Sequence, residues 1–124
     1  MADLTLVERF GANATYNDTN KTVTLDLNDL TSIIVSGVDV GLDISGLSAA
    51  NIDDYASKIL WSLILLNQAN QPTDNNDETL KLYVTNQGKR NVTRNSVAQF
   101  GYQLVTTAYQ NDSLGTILDP DNLA

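Results

Sequence analysis

One segment dictates what this chain can build. Ile52, Tyr55, Ala56, Ile59, Leu60, Leu63 and Ile64 recur at i, i+3, i+4, i+7, i+8, i+11 and i+12, the spacing that lines side chains along one face of an α-helix. The stripe predicts a helix over 51–68. Asn51 or Ser48 can cap it, and Asp53 and Asp54 suit the positive end of its dipole. Pro72 and the polar run QPTDNNDE stop it. In the last turns Trp61, Leu65 and Leu66 lie off the main stripe and widen the apolar arc to roughly 260°. Lys58 and Ser62 are left as the polar strip. A helix on an open sheet needs one covered face. This one needs cover on two sides, from the 28–47 segment or from another subunit.

The flanking segments read as strands. DLTLVERF at 3–10 predicts a short strand, and 14–27 a hairpin around the turn-rich NDTN. In its second arm Val23, Leu25 and Leu27 alternate with Thr22, Thr24 and Asp26, which predicts one buried and one wet face. Residues 28–47 carry Ile33, Ile34 and Val35 but also Gly37, Gly41 and Gly46, the pattern of a bent strand or an irregular connection. From 80 to 109 strand character returns: Leu80, Leu82 and Val84 alternate with polar residues, then Phe100, Tyr102 and Leu104 do the same. The NQGKR stretch with Gly88 reads as the loop between them. The tail over 110–124, with Leu114, Ile117, Leu118 and Leu123 around a proline turn, can dock as an arm. The expectation is a single α+β domain, one central helix packed on a mostly antiparallel β-sheet.

Composition narrows the chemistry. Of 124 residues none is Cys or His, which removes disulfides, thiolate chemistry, the commonest general base and the commonest transition-metal ligand. What remains for catalysis is Ser or Thr with Lys, or a carboxylate pair. Asp53 and Asp54 diverge on a helix start, and nothing local brings Asp39 and Asp43 together. For calcium, Asp74, Asn76 and Glu78 alternate as in an EF-hand loop, but Thr85 stands where the closing Glu belongs. DPDN at 119–122 reads as a turn, and GLDISG at 41–46 has no Lys after it, so it is no phosphate loop. No cofactor is expected. The longest apolar run, ILWSLILL at 59–66, is far short of the roughly 20 residues that span a bilayer. The start MADLTLVERFG has no secretory pattern, so a soluble chain made without export and without membrane contact is expected. Five Asn-x-Thr/Ser triplets, at Asn13, Asn17, Asn20, Asn91 and Asn111, then follow from an Asn- and Thr-rich composition.

Charge is unevenly spread. The net charge is −8, from 15 acids and 7 bases. Between Asp26 and Asp54 there are six acids and no base; between Lys81 and Arg94 there are four bases and no acid. Lys89, Arg90 and Arg94 make TNQGKRNVTRN the one basic stretch of an acidic chain. A nucleic-acid reader would carry an overall positive domain or interleaved aromatics, so no nucleic-acid partner is expected. Segregated charge instead suits a complementary contact that sets register and partner choice. Arg90 and Arg94 are the candidate anchors, because Arg pairs with carboxylates bidentately. Trp61, Leu65 and Leu66 are the candidate apolar contact.

The stretches GKRNVTRNSVAQFGYQLVTTAYQND and LGTILDPDNLA, at 88–112 and 114–124, resemble small accessory proteins in the structural gene clusters of tailed bacteriophages of the cyanobacterial type. That resemblance implies a virion component without enzymatic activity, assembled in the host cytoplasm and bound to its own copies or to a shell protein, as a capsid decoration (cement) protein is. It carries no functional residue over. The alternative is a small binding module for calcium or carbohydrate using Asp-rich loops.

Overall fold

The computed structural model describes residues 3–111 and 119–123. The chain is α+β, with one long helix and antiparallel strands, as its periodicities predict. The strands form three separate two-stranded sheets. In order, the elements are α1 (Leu6–Phe10), β1 (Thr15–Asn17), β2 (Thr22–Thr24), a 3-10 turn (Leu27–Leu30), β3 (Ile34–Val35), β4 (Val38–Asp39), α2 (Ile52–Asn70), β5 (Leu82–Arg94), β6 (Val97–Ala108) and a last 3-10 turn (Pro120–Asn122).

The expected strand at 3–10 is instead a helical turn, and Thr5 decides it. The Thr5 hydroxyl accepts from the Glu8 amide, and Glu8 Oε1 accepts from the Thr5 amide at 3.0 Å. This is a capping box, T-x-x-E, and it outweighs the short alternation around Leu4 and Leu6. The free carbonyls at the end of α1 are taken by amides of α2: Asn67 Nδ2 donates to Arg9 O at 3.0 Å and Asn70 Nδ2 to Glu8 O at 2.7 Å. Helix ends leave such carbonyls unsatisfied, so α1 is stable where it docks on α2.

The hairpin at 14–27 forms, but shorter than expected. β1 pairs with β2 from Thr15↔Thr24 to Asn17↔Thr22, and all six residues are exposed. Val23 therefore faces solvent. Leu25 and Leu27 lie beyond the strand, and Leu27 packs on the core from the 3-10 turn. Only Ala14, at the hairpin's base, is buried.

The 28–47 segment is the irregular connection expected, folded over α2. β3 and β4 pair through a two-residue turn at Ser36 and Gly37, both at positive φ, as tight hairpins require. The segment then doubles back, with Val40 N–H donating to Ile33 O and Leu42 N–H to Leu30 O, both at 2.8 Å. Gly41 permits this close approach: a Cβ there would run into the Thr31 carbonyl. Leu30, Ile33 and Leu66 form the buried core, ringed by Val35, Val40, Leu42, Ile59, Leu63, Leu65 and Ala69. This is the cover from 28–47 that the wide apolar arc called for. The second cover is α1.

α2 spans Ile52–Asn70, but its buried face is rotated from the predicted stripe. Ser62 and Leu66 are buried, whereas Leu60 is 63% exposed and Ile52 40%. Ser62 was expected on the polar strip. It is tolerated inside because its hydroxyl donates to Lys58 O at 2.7 Å, the bond Ser makes to its own helix. Asn51 occupies the N-cap position without capping. Its side chain accepts from Ser48 N–H and donates to Gly46 O, closing the preceding loop.

Candidate interaction surface

β5 and β6 form a ribbon of 13 and 12 residues, about 40 Å long at the rise of an extended chain. Its root is tied to the body by four groups. Gln71 acts as a surrogate strand: its Nε2 donates to Val84 O at 2.7 Å, and Val84 N–H donates to its Oε1 at 2.8 Å. The Tyr83 hydroxyl donates to Pro72 O at 3.1 Å. Arg9, with its side chain only 11% exposed, reaches Leu82 O at 3.5 Å, Asn67 Oδ1 at 2.8 Å and Asp3 at 2.6 Å. Asp3 also accepts from Lys81 N–H at 3.2 Å. Burial pushes the Asp3 carboxyl up, but the Lys81 N–H and Arg9 outweigh it and hold the group below its ordinary value.

Past this root the ribbon leaves the body. Val84 is the last buried residue of β5, and β6 has none. Val97, Phe100, Tyr102 and Val105 are 54%, 61%, 45% and 45% exposed. An isolated two-stranded ribbon is marginal in water, and apolar side chains on it have nothing of their own to pack on.

The basic stretch is not the expected hairpin loop. Asn86 Oδ1 accepts from Gly88 N–H at 2.7 Å, and a bulge between Asn86 and Gly88, with Gly88 at φ +77°, absorbs one extra residue. β5 then runs on to Arg94, and the turn is Asn95–Ser96, both at positive φ. Glycine marks the bulge; the true turn has none.

Residues directly opposite in a ladder point to the same face, so the pairing sorts the cations. Lys89 stands opposite Tyr102 and shares a face with Phe100, Leu104 and Val84; Arg90 and Arg94 stand opposite Gly101 and Val97 on the other face. The Lys89 ammonium lies 4.9 Å from the Phe100 ring centroid, a cation–π distance. Arg94 Nε donates to Gln99 Oε1 at 2.6 Å. Among the described residues none of the three cations has a carboxylate partner. The candidate basic cluster is thus two surfaces, back to back.

The apolar candidates divide as well. Leu66 is in the core and offers no surface. Trp61 and Leu65 are half-buried and line a groove of about 720 Å³ with Val35, Val38, Val40 and Tyr102. The β3–β4 hairpin forms one wall and the ribbon the other. Sequence periodicity marks Trp61 and Leu65, whereas Val38 and Tyr102 arrive from distant segments and carry no local signal of a shared site. Between Val38 and Val40, Asp39 accepts from the Gly41 and Ile33 amides and the Ser32 hydroxyl, which hold its carboxyl below the ordinary range.

Carboxylates of the Asp-rich loops accept from amides two residues on. Asp74 accepts from Asn76 N–H, Asp43 from Ser45 N–H, and Asp77 from Thr79 N–H and its hydroxyl. Among the described residues no three His, Cys, Asp or Glu side chains gather as a metal site requires. No described helix is long and apolar enough to cross a membrane. Of the expected docking tail, Gln110 bridges Leu123, while Leu114, Ile117 and Leu118 lie outside the described residues. No family model, curated protein or solved structure matches the chain.

Proposed function

We propose that this protein is a non-enzymatic assembly protein that acts by adhesion, as a virion component of the capsid decoration (cement) type. One observation carries the adhesive role: a 13-residue ribbon stands off the body with apolar side chains uncovered on both faces. The surface agrees with it. The chain exposes 8667 Å², against about 6500 Å² for a compact monomer of this mass, and the ribbon is one source of the excess. Charge supports a partner rich in carboxylates. The ribbon carries Lys89, Arg90 and Arg94 and no acid, so its unpaired cations suit the acidic body of another copy or of a shell protein. The virion setting rests on the likeness of residues 88–124 to phage accessory proteins.

Sedimentation from micromolar to millimolar concentration tests this reading, with wild type beside Arg90→Glu/Arg94→Glu. Wild type is expected to associate and the double variant to associate more weakly at unchanged helix content. A wild-type monomer at every concentration that also fails to bind phage particles would sink the assembly role. Equal association of both proteins would remove Arg90 and Arg94 as anchors.

A further inference from the structure

We infer that the open edge of β6 pairs antiparallel with β6 of a second copy, giving a four-stranded sheet across a two-fold axis near Tyr102. This rests on the assembly reading and adds to it a contact between copies that leaves the β5 cations free for an acidic partner. Val84 N–H and O both bond Gln71 outside the ribbon, so Val84↔Thr106 is a non-hydrogen-bonded pair of the ladder. The Tyr109 N–H bond to Lys81 O at 2.9 Å fixes the same phase from the neighbouring position. Because β6 has no bulge, the N–H and C=O groups of Ala98, Phe100, Tyr102, Leu104 and Thr106 all point away from β5. This is an unbroken row of free donors and acceptors.

The two edges of the ribbon differ in ways that select β6. β5 is bulged at Asn86–Gly88, its root is occupied by Gln71 and Arg9, and it carries all three cations. Bulges and Lys or Arg are the devices by which edge strands resist pairing. β6 has neither: Val97–Ala108 contains no charge and no proline and is rich in Val and Thr. Charge selects the partner. Joining two β5 edges would set six cations side by side. Joining two β6 edges leaves them on the outer strands, about 14 Å apart at the usual strand spacing and beyond the roughly 8 Å screening length. A second β6 is itself uncharged and meets no repulsion there.

The symmetry makes the arrangement specific. A two-fold axis relating adjacent antiparallel strands is perpendicular to the sheet, so each strand keeps its faces and even residues meet even residues. Phe100, Tyr102 and Leu104 of both copies then share one face, and their uncovered rings gain neighbours on the side where each ribbon has none.

The absence of cysteine from the chain allows a direct test by single-cysteine variants at Phe100, Gly101, Tyr102, Gln103 and Leu104, with Lys89 and Asn91 on β5 as controls. A Cβ at Gly101 meets open space. On the axis a residue faces its own mate at about 5 Å between Cα atoms. One position away the separation grows to about 8 Å, too far for a disulfide. The expected result under oxidation is one sharply preferred β6 position and no β5 bridge. Thr106→Pro removes an outward N–H without breaking a bond to β5 and is expected to weaken the dimer at least tenfold, with unchanged circular dichroism. Bridging through β5, or a dimer bridged at no β6 position, would overturn the β6 contact while leaving assembly standing. So would a monomer that still binds phage particles. A monomer that binds none would overturn both.

Discussion

The bond pair between Gln71 and Val84 fixes where the ribbon leaves the body, and its removal has a calculable cost. In Gln71→Ala the Val84 N–H and C=O lose their partners at a residue only 3% exposed. Each buried unsatisfied group costs about 1–3 kcal/mol. With partial access of water at the root, the sum is about 2–4 kcal/mol. This cost falls on attachment of the ribbon, so native-state hydrogen exchange at the Val84 amide is the direct assay. Protection there should fall roughly 30- to 1000-fold, at about 1.4 kcal/mol per factor of ten, while Leu66, in the core helix, changes far less. Gln71→Glu keeps an acceptor for the Val84 N–H but loses the donor to its carbonyl, and should fall between. Val84 protection within threefold of wild type in Gln71→Ala would refute the claim that this amide holds the ribbon root.

Three further outcomes follow from the body. Leu30→Ala empties the centre of a small core at a fully buried position and should cost about 2–5 kcal/mol in urea unfolding; a loss below 1 kcal/mol would mean the core collapses around the gap. Ser62→Ala should be neutral or slightly stabilising, because the deleted hydroxyl only duplicates helix bonding to Lys58 O; a loss above 1 kcal/mol would contradict that. Asp39 has its folded pKa lowered, first by the Gly41 amide, then by Ile33 and Ser32, so the stability it adds is present above its unfolded value of about 3.9 and lost as pH falls through the folded one. The stability difference between wild type and Asp39→Asn should be flat from pH 7 to 5 and shrink below pH 4; a difference that grows on acidification would reverse the assignment.

What the sequence discloses depends on how local the cause is. α2 is legible because its period repeats over many turns, and β6 because Phe100, Tyr102 and Leu104 alternate without interruption. The face that α2 buries is not, since it depends on where Leu30 and Ile33 arrive, and those residues draw Ser62 inward and leave Leu60 in solvent. α1 has a local signal, Thr5 and Glu8 three residues apart, that competes with the alternation of Leu4 and Leu6 and prevails through its caps on Asn67 and Asn70. The ribbon misleads for a chemical reason. Gly88 advertises a loop yet serves a bulge, whereas the real turn relies on Asn95 and Ser96 held at positive φ by the strands on either side. Trp61 and Leu65 emerge as surface candidates from periodicity alone. Their separation from Leu66, and of Lys89 from Arg90 and Arg94, appears only when helix phase and strand register are known.

The Arg9 staple also sets an order of events during synthesis. Two of its partners, Asn67 and Leu82, lie 58 and 73 residues downstream. At ribosomal rates of 5–20 residues per second, Leu82 is made about 4–15 s after Arg9. Until Asn67 is made, about 3–12 s after Arg9, α1 has no α2 to dock on, while the β1–β2 hairpin and the turn at Ser36–Gly37, which need only near neighbours, can already form. The body therefore closes around its N-terminal segment late, just as the ribbon starts to be made. Strand β6 follows after β5, so each nascent chain has its body template in hand before it acquires the open edge of the ribbon.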